Sequence, residues 1–126
     1  METVAFLDTH ILVWLYAGEV NLISKAARKL IEQIPLIVSP MALLEVDYLC
    51  EIKKITVGGR KLFEELRLVL PIEQANDPFG DIVAKASDLS WTRDPFDRLI
   101  VAHALCHRAP LITKDRSIRK HYRCVW

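Results

Sequence analysis

Short apolar runs alternate with longer stretches of helical periodicity along the chain. Val4–Leu7 and Leu36–Ser39 are short, mostly apolar runs without alternation, a pattern typical of strands buried on both faces. Leu111–Thr113 is a third such strand, Leu70–Glu73 is a candidate short strand, and Cys124–Trp126 is a candidate last edge strand. Strands that alternate with helices predict an α/β fold with a mainly parallel sheet and helices on both faces.

Capping residues mark the helix boundaries. Asp8 and Thr9 precede the first helix, and Gly18 follows it. Ser39-Pro40 and Asp94-Pro95 each place a capping side chain before a proline at the first helical position. The predicted helices are His10–Ala17, Lys25–Ile34 after Ser24, Pro40 to Ile52, Arg60 to Val69, Phe79–Asp88, Phe96 to Arg108, and a short turn opened by Asp115. In the fourth of these helices, the residues predicted to face inward are Leu62, Phe63, Leu66 and Val69.

Four carboxylates fall at equivalent positions of this predicted fold. Asp8 comes directly after the first strand, and Asp115 comes just after the strand Leu111–Thr113. Asp97 lies in the first turn of the helix that feeds that strand, and Glu45 lies about two turns into the helix after the second strand. Ligand sites of parallel sheets lie beyond the carboxyl ends of the strands. We therefore expect the four side chains to project into one crevice.

A set of acids in one crevice indicates a hard metal cation. Carboxylates packed together repel, and their pKa values rise unless a cation separates them. Mg²⁺ and Mn²⁺ favour oxygen ligands and keep several waters, and such a cation can activate water and neutralise charge on a phosphoryl oxygen. Taken singly, each acid has a plainer interpretation as a cap, a turn residue or a solvated helix residue. Asp94 is primarily an N-cap, with a metal or supporting role as the alternative.

Composition narrows the class of protein without deciding its function. A chain of 126 residues is the size of one domain, 1–126, and its hydrophobic content of 52% suffices for a core without a metal or disulfide. The three cysteines are odd in number and form no CxxC pair, which favours a reducing cytoplasm. The sequence shows no signal-peptide pattern and no apolar run of membrane length, so we expect a cytoplasmic protein without a membrane segment.

The small net charge hides an uneven distribution. Residues 1–90 contain 9 Lys/Arg and 13 Asp/Glu, whereas residues 91–126 contain 8 and 3. The basic segment can follow the phosphates of a nucleic acid, and a solvated surface is its plainer interpretation.

Two further patterns leave alternatives open. His103 and His107 have a spacing that can bind zinc, but no further ligand is evident, and an ordinary helix face is favoured. The helix His10–Ala17 is apolar nearly all round, so it is either deeply buried or partly covered by a partner helix or a second copy. The same question arises on the third helix for Met41, Leu44, Tyr48 and Leu49.

Four segments of the chain resemble the PIN-domain nucleases and, among them, the toxins of the VapC type. They are FLDTH at 6–10, SPMALLEV at 39–46, RDPFDRLIVAHAL at 93–105 and LITKD at 111–115, in the expected order, and the third is the most specific. The resemblance implies a single PIN-like domain with a four- to five-stranded sheet. It also implies that the metal-binding and catalytic acids are Asp8, Glu45, Asp97 and Asp115.

The same resemblance implies the activity and the partners. These are Mg²⁺- or Mn²⁺-dependent endonucleolytic cutting of RNA, homodimers, and inhibition by a small antitoxin. It suggests that the hydroxyls of Thr9 and Thr113 support a carboxylate or a metal-bound water, with simple capping as the alternative. Arg98, next to Asp97, is expected to pair with an acid or a phosphate, or else to make a surface salt bridge.

Two other functions fit parts of the same pattern. A receiver- or phosphatase-like phosphoryl-transfer protein also carries an aspartate after its first strand, but Asp8 is followed by Thr9 and His10 rather than by a DxD pattern. A non-catalytic PIN-fold module that binds RNA or protein is the second alternative, and the intact set of acids argues against it.

Overall fold

The strands of residues 3–126, the part of the chain that this computed structural model describes, form one parallel sheet. They are β1 (Ala5–Leu7), β2 (Leu36–Val38), β3 (Ile72–Gln74), β4 (Leu111–Ile112) and β5 (Cys124–Val125). Their order across the sheet is β3-β2-β1-β4-β5, and every neighbouring pair runs parallel. The predicted parallel sheet is confirmed, with five strands.

The helices begin at the capping residues that the sequence contains. Ser24 Oγ accepts a hydrogen bond from the Ala27 N–H at 3.1 Å, and Gly18, with φ of 74°, ends the first helix in the left-handed region. Within residues 3–126 the helices are α1 (Thr9–Ala17), α2 (Lys25–Gln33), α3 (Pro40–Glu51), α4 (Gly59–Arg67), α5 (Phe79–Ser87), α6 (Pro95–Cys106) and α7 (Arg116–His121).

The order of the strands creates a switch point between β1 and β4. The connections from β1 through β2 to β3 move towards one edge of the sheet, whereas β4 and β5 lie on the other side of β1. Right-handed crossovers therefore place α1 to α4 on one face and α5 to α7 on the opposite face. Crevices at the carboxyl ends of strands flanking such a switch point are the usual ligand sites of these sheets.

The central strand is covered on both faces. Ala5, Phe6 and Leu7 are each fully buried, which explains why this run is apolar without alternation. At its end, the Asp8 N–H donates to the Ile112 carbonyl at 3.0 Å, so the first residue after β1 is held against β4.

Capping and turns explain the boundaries that differ from the predicted ones. β2 ends at Val38 because Ser39 Oγ accepts from the Met41 N–H and caps α3. α4 ends at Arg67, and Val69 is 76% exposed, so the prediction that Val69 faces inward is wrong. The helical periodicity continues in the sequence past the point where the chain turns towards β3.

Two smaller differences involve short segments. The sequence pattern does not predict the 3-10 turn Val20–Leu22 that follows α1. β3 begins at Ile72 rather than Leu70, because Pro71 has no N–H to contribute to the ladder. None of the helices in residues 3–126 has the length and apolar content required to cross a membrane.

α3 and α4 approach each other closely at a glycine. Gly59 is buried at the start of α4, and its N–H donates to Asp47 Oδ1 at 2.7 Å. A Cβ at Gly59 would lie 2.2 Å from the Leu43 carbonyl oxygen, so a side chain there would push the two helices apart.

We expect Gly59→Ala to lower the free energy of unfolding by about 1–3 kcal/mol, as overpacking does. Gly80→Ala is the matched control, because a Cβ there meets nothing within 4 Å and alanine favours helix over glycine by up to about 1 kcal/mol. Urea unfolding measures both changes. If the two variants were equally stable, the close approach of α3 and α4 would be contradicted.

Candidate metal centre

A pocket of about 390 Å³ lies where β1 and β4 end. Its wall contains the carboxylates of all four acids that the sequence analysis selects, and also that of Asp94. The structure therefore brings together side chains that come from four separate segments. The acidic residues that line it are Asp8, Glu45, Asp94, Asp97 and Asp115.

Asp8 is the most enclosed of these carboxylates. Its side chain is buried, and its oxygens accept one hydrogen bond each, from the Thr9 N–H at 2.8 Å and from the Thr113 hydroxyl at 2.6 Å. Burial raises the pKa of Asp8 above its usual value, although the hydrogen bonds from Thr113 and Thr9 oppose the shift. The Asp115 N–H donates to Thr113 Oγ1 at 3.0 Å, so a short chain of hydrogen bonds links two of the acids.

Thr9 connects the end of β1 to α3. Its hydroxyl donates to Glu45 Oε1. Burial raises the pKa of Glu45, the hydrogen bond from Thr9 opposes this, and the negative charges of Asp8 and Asp94 add to it. Thr9 and Thr113 therefore each hydrogen-bond a pocket carboxylate, and each also lies at a strand end.

Two caps position the remaining acids. Asp94 Oδ1 accepts from the Phe96 N–H at 2.8 Å and the Asp97 N–H at 3.3 Å, which fixes the first turn of α6. Asp115 Oδ1 accepts from the Ile118 N–H at 3.0 Å at the start of α7. Asp94 and Asp115 therefore each cap a helix and also line the pocket.

Asp97 is strongly affected by the charges around it. Its pKa is raised from 3.8 to about 7, first by desolvation and then by the negative charges of the four other acids. Without a metal, a proton on Asp97 therefore relieves part of the repulsion between the acids at neutral pH. A bound cation removes this conflict.

The donor set fits a hard divalent cation that keeps part of its water shell. Within the described range 3–126, no three His, Cys, Asp or Glu side chains are gathered tightly enough to hold an ion by themselves. Mg²⁺ commonly binds through one or two carboxylates, several waters and substrate phosphates, rather than through an all-protein cage. Carboxylate oxygens spaced around an open pocket suit that kind of binding, and the shared negative charge favours it.

Comparison with known proteins decides the family. A model of the PIN domain matches residues 5–123. The chain belongs to the PIN-domain family. This PIN domain is 32% identical to Ribonuclease VapC22 of Mycobacterium tuberculosis, in a match that covers 94% of this chain and 92% of the relative. The resemblance inferred from the sequence is confirmed, and the match argues against the receiver- or phosphatase-like alternative.

Solved structures show the same fold. The PIN domain is similar to a chain in the crystal structure of VapBC2 from Rickettsia felis bound to a DNA fragment from their promoter, with a TM-score of 0.63, 19% identity, and coverage of 95% of this chain and 93% of that chain. It is also similar to a chain of a toxin-antitoxin complex from Klebsiella pneumoniae, with a TM-score of 0.62, 23% identity, and coverage of 90% and 89%. At these identities the likeness concerns the fold alone.

Four residues of the pocket wall were not predicted from the sequence as site residues. His10, Ile11, Trp14 and Lys114 line the pocket of the PIN domain. His10 and Trp14 are one helical turn apart on α1, directly after Asp8, and this spacing is the signal that could have identified them. Lys114 precedes Asp115 and brings a cation to the rim.

Arg98 makes no ion pair with an acid among residues 3–126. Its guanidinium donates to the Ala86 carbonyl at 3.0 and 3.2 Å and to the Ser87 carbonyl at 3.3 Å. It therefore binds the last carbonyls of α5 and holds α5 against α6. Neither the expected pairing of Arg98 with an acid nor its alternative, a surface salt bridge, occurs within residues 3–126, because α6 turns this side chain towards α5 and away from Asp97. Pairing with a phosphate stays a prediction.

The histidine pair of α6 lies away from the acids. His103 is buried, and its Nδ1 lies 2.8 Å from Ser39 Oγ; its Nε2 lies 3.8 Å from Asp77 Oδ2. His107 Nε2 lies 2.8 Å from the same Asp77 oxygen. This arrangement agrees with the preference for an ordinary helix face, since the ring nitrogens face hydrogen-bonding partners.

The strain on Asp97 predicts how stability depends on pH. Between its ordinary pKa of 3.8 and its folded-state pKa of about 7, the unfolded chain releases the Asp97 proton while the folded chain retains it. Stability is therefore lost as the pH rises through this window, and the full loss is present above it. With EDTA present, we expect Asp97→Asn to be more stable than the wild type, by a larger margin at pH 8 than at pH 5.

Thermal unfolding at the two pH values measures this difference. Glu64→Gln, at an exposed position of α4 outside the pocket, is the control and should follow the wild type at both pH values. An equal margin for Asp97→Asn at pH 5 and pH 8 would show that Asp97 titrates like an ordinary surface carboxylate.

Proposed function

We propose that this PIN domain is a divalent-cation-dependent endoribonuclease and the toxin of a toxin–antitoxin pair. The observation that carries the proposal is the convergence of Asp8, Glu45, Asp97 and Asp115 on one pocket at the switch point of the sheet. Divalent-cation dependence is general among PIN-domain ribonucleases. The curated relative is named a ribonuclease, and that name agrees with the activity expected from the sequence.

The cation is proposed to be Mg²⁺ or Mn²⁺, held by these four carboxylates with Asp94 beside them. When bound, it supplies a water of lowered pKa and neutralises charge on the phosphoryl oxygens of the substrate. Hydrogen bonds from neighbouring residues hold the metal-binding carboxylates in place. Each oxygen of Asp8 accepts one hydrogen bond and so retains a second lone pair for the pocket.

The threonines keep the carboxylates aimed at the pocket. Without the Thr113 hydroxyl, Asp8 would lose one of its two hydrogen bonds while remaining buried. Without the Thr9 hydroxyl, Glu45 would lose its link to the end of β1. Lys114 at the rim offers a positive charge to a phosphate of the RNA strand.

RNA cleavage in vitro tests this function. We expect Mn²⁺-dependent internal cuts in RNA that EDTA abolishes. Asp97→Asn should lose more activity than the 10- to 100-fold that is typical when an outer hydrogen-bonding partner is removed, and Thr113→Val should fall roughly within that range. Asp81→Asn, at an exposed position on α5 outside the pocket, is the control with unchanged activity.

A thermal shift provides a readout that does not depend on cleavage. Mn²⁺ should raise the melting temperature of the wild type and of Asp81→Asn, because a ligand that binds only the folded state stabilises it. It should raise that of Asp97→Asn less. Mn²⁺ binding without any cleavage would favour the non-catalytic module, and full activity in Asp97→Asn would refute the assigned role.

The proposed partners are RNA, a cognate antitoxin and a second copy of the chain, in the cytoplasm. The fold neighbours come from complexes with antitoxins, which supports an antitoxin for this PIN domain.

The cysteines of this PIN domain, at positions 50, 106 and 124, are free thiols, which fits a reducing compartment. Trp14 and Tyr16 of α1 are half-buried and pack on the core, which favours burial within the domain for most of that helix.

An apolar surface between α3 and α5 supports the homodimer. Leu44 and Tyr48 of α3 are 52% and 49% exposed, and Phe79 at the start of α5 is 67% exposed. Met41, Leu44, Phe79 and Leu99 line one shared groove. Large exposed apolar side chains that adjoin one another are typical of a protein interface.

Leu44→Glu is expected to convert the dimer into a monomer, because it places a charge in the desolvated centre of that surface. Leu68→Glu is the matched control, since Leu68 is 84% exposed at the end of α4 and lies outside the groove. Sedimentation equilibrium gives the mass of each variant. A dimer that survives Leu44→Glu would place the contact elsewhere.

A further inference from the structure

Three aromatic side chains form a row that leads away from the carboxylate pocket. His10 and Trp14 line the pocket itself. The His10 and Trp14 ring centroids are 6.1 Å apart, and those of Trp14 and Trp126 are 6.2 Å apart. The ring planes are tilted by 52° and 47°, so neither pair is stacked face to face and neither ring covers its neighbour completely.

The fold explains why the row begins at the pocket. His10 is the second residue of α1, which starts directly after Asp8, and Trp14 lies one turn further along the same side of the helix. β5 runs parallel to β4 and leads into Trp126 at the same edge of the sheet. His10 is exposed, and Trp14 and Trp126 are half-buried, so none of the three residues is fully enclosed by the core.

We propose that His10, Trp14 and Trp126 form a nucleobase-stacking subsite for unpaired RNA next to the carboxylate pocket. The inference rests on the proposed ribonuclease function, because the carboxylates would receive the phosphodiester that is cut and the rings would receive bases beside it. Exposed aromatic rings along a nucleic-acid path are the usual stacking platforms for single strands. Lys114 lines the same pocket, and its positive charge is complementary to the negative charge of the RNA backbone.

Stacking on these rings requires bases that have left a duplex. In a helix, both faces of a base are covered by its neighbours, whereas bases of loops and single strands can stack on aromatic side chains. The subsite therefore favours unpaired nucleotides and contributes to the choice of cleavage position. A purely packing role for the same rings would alter stability without any dependence on the bases.

Binding of a short, unstructured, fluorescently labelled RNA tests the subsite. The full chain carrying Asp97→Asn is used in EDTA, so that binding is measured by fluorescence anisotropy without cleavage. Into this background we place His10→Ala or Trp14→Leu, and each is expected to weaken binding roughly 5- to 150-fold, the range measured for the loss of one stacked base. Trp14→Phe keeps a ring and should restore most of the affinity.

A second RNA carries abasic residues in its central positions. We expect it to bind weakly and equally to the Asp97→Asn protein with and without Trp14→Leu, because there is no base left to stack. If Trp14 had a role in packing alone, Trp14→Leu would weaken binding of the abasic RNA by the same factor as binding of the intact RNA. This comparison separates stacking from an indirect effect on the fold, and the exposed His10→Ala variant gives the same test if Trp14→Leu fails to fold.

The chain contains a matched pair of rings outside the pocket. Trp91 and His121 are stacked with centroids 4.7 Å apart and planes at 1°, and neither is among the residues of 3–126 that line the pocket. Trp91→Leu and His121→Ala are therefore controls that should change the affinity less than about twofold. The subsite would be overturned if substitutions in the His10–Trp14 pair and in the Trp91–His121 pair lowered the affinity equally. It would also be overturned if RNA bound equally with and without its bases, or did not bind at all.

Cleavage of the same two RNAs in Mn²⁺, by Asp97→Asn and by the wild type with and without Trp14→Leu, separates this inference from the proposed function. RNA cut by the Asp97→Asn protein would contradict the role of Asp97 and leave the stacking result standing. If the wild type cuts RNA, and if neither abasic positions nor Trp14→Leu changes the cleavage rate or position, the nuclease function is supported and the subsite is overturned.

Discussion

The hydrogen bond from the Thr113 hydroxyl to the buried Asp8 carboxylate joins the two strands between which the whole site is built. Asp8 follows β1 and Thr113 follows β4, and the two residues are far apart in the sequence. A buried carboxylate without partners is strongly destabilising, so the fold must bring this hydroxyl and the Thr9 N–H to it. The parallel register of β1 and β4 satisfies that requirement, and it also brings Asp115, just after β4, to the same pocket as Asp8.

The pocket concentrates charge that the rest of the molecule has to tolerate. The pKa values of Asp8, Glu45 and Asp97 are all raised, which means that each carboxylate is less stable ionised in the fold than in water. The opposing contribution comes from the apolar core, in which β1 is completely buried between two helical layers. Destabilising charge at a functional site, offset by a well-packed core elsewhere, is a common compromise in enzymes.

Local signals in the sequence were sufficient for most of the fold. The pair Asp94-Pro95 predicts the start of α6 because capping and the fixed φ of proline are properties of adjacent residues. The convergence of the acids could be predicted because parallel strands end at one edge. Val69 could not be placed correctly, since the apolar periodicity runs on for two residues after the helix has ended.

The residues that were misplaced or missed depend on how helices are rotated against one another. Arg98 is adjacent to Asp97 in the chain, yet it points to the end of α5, and only the packing of α5 against α6 decides this. His10 and Trp14 belong to a helix that is apolar nearly all round, so no polar face marks the side that borders the pocket, and the spacing of these two residues after Asp8 is the signal left in the sequence. Periodicity identifies a buried face reliably, but it does not identify the edge of that face that meets a ligand.

The dispersal of the acids along the chain also bears on how the protein is made. Asp8 emerges from the ribosome early, Glu45 and Asp97 emerge later, and Asp115 follows after β4 has been synthesised. Until then a growing chain has neither the Thr113 hydroxyl to support Asp8 nor the strand that closes the pocket. A nascent chain of this PIN domain therefore lacks the assembled carboxylate pocket until β4 and Thr113 have been synthesised.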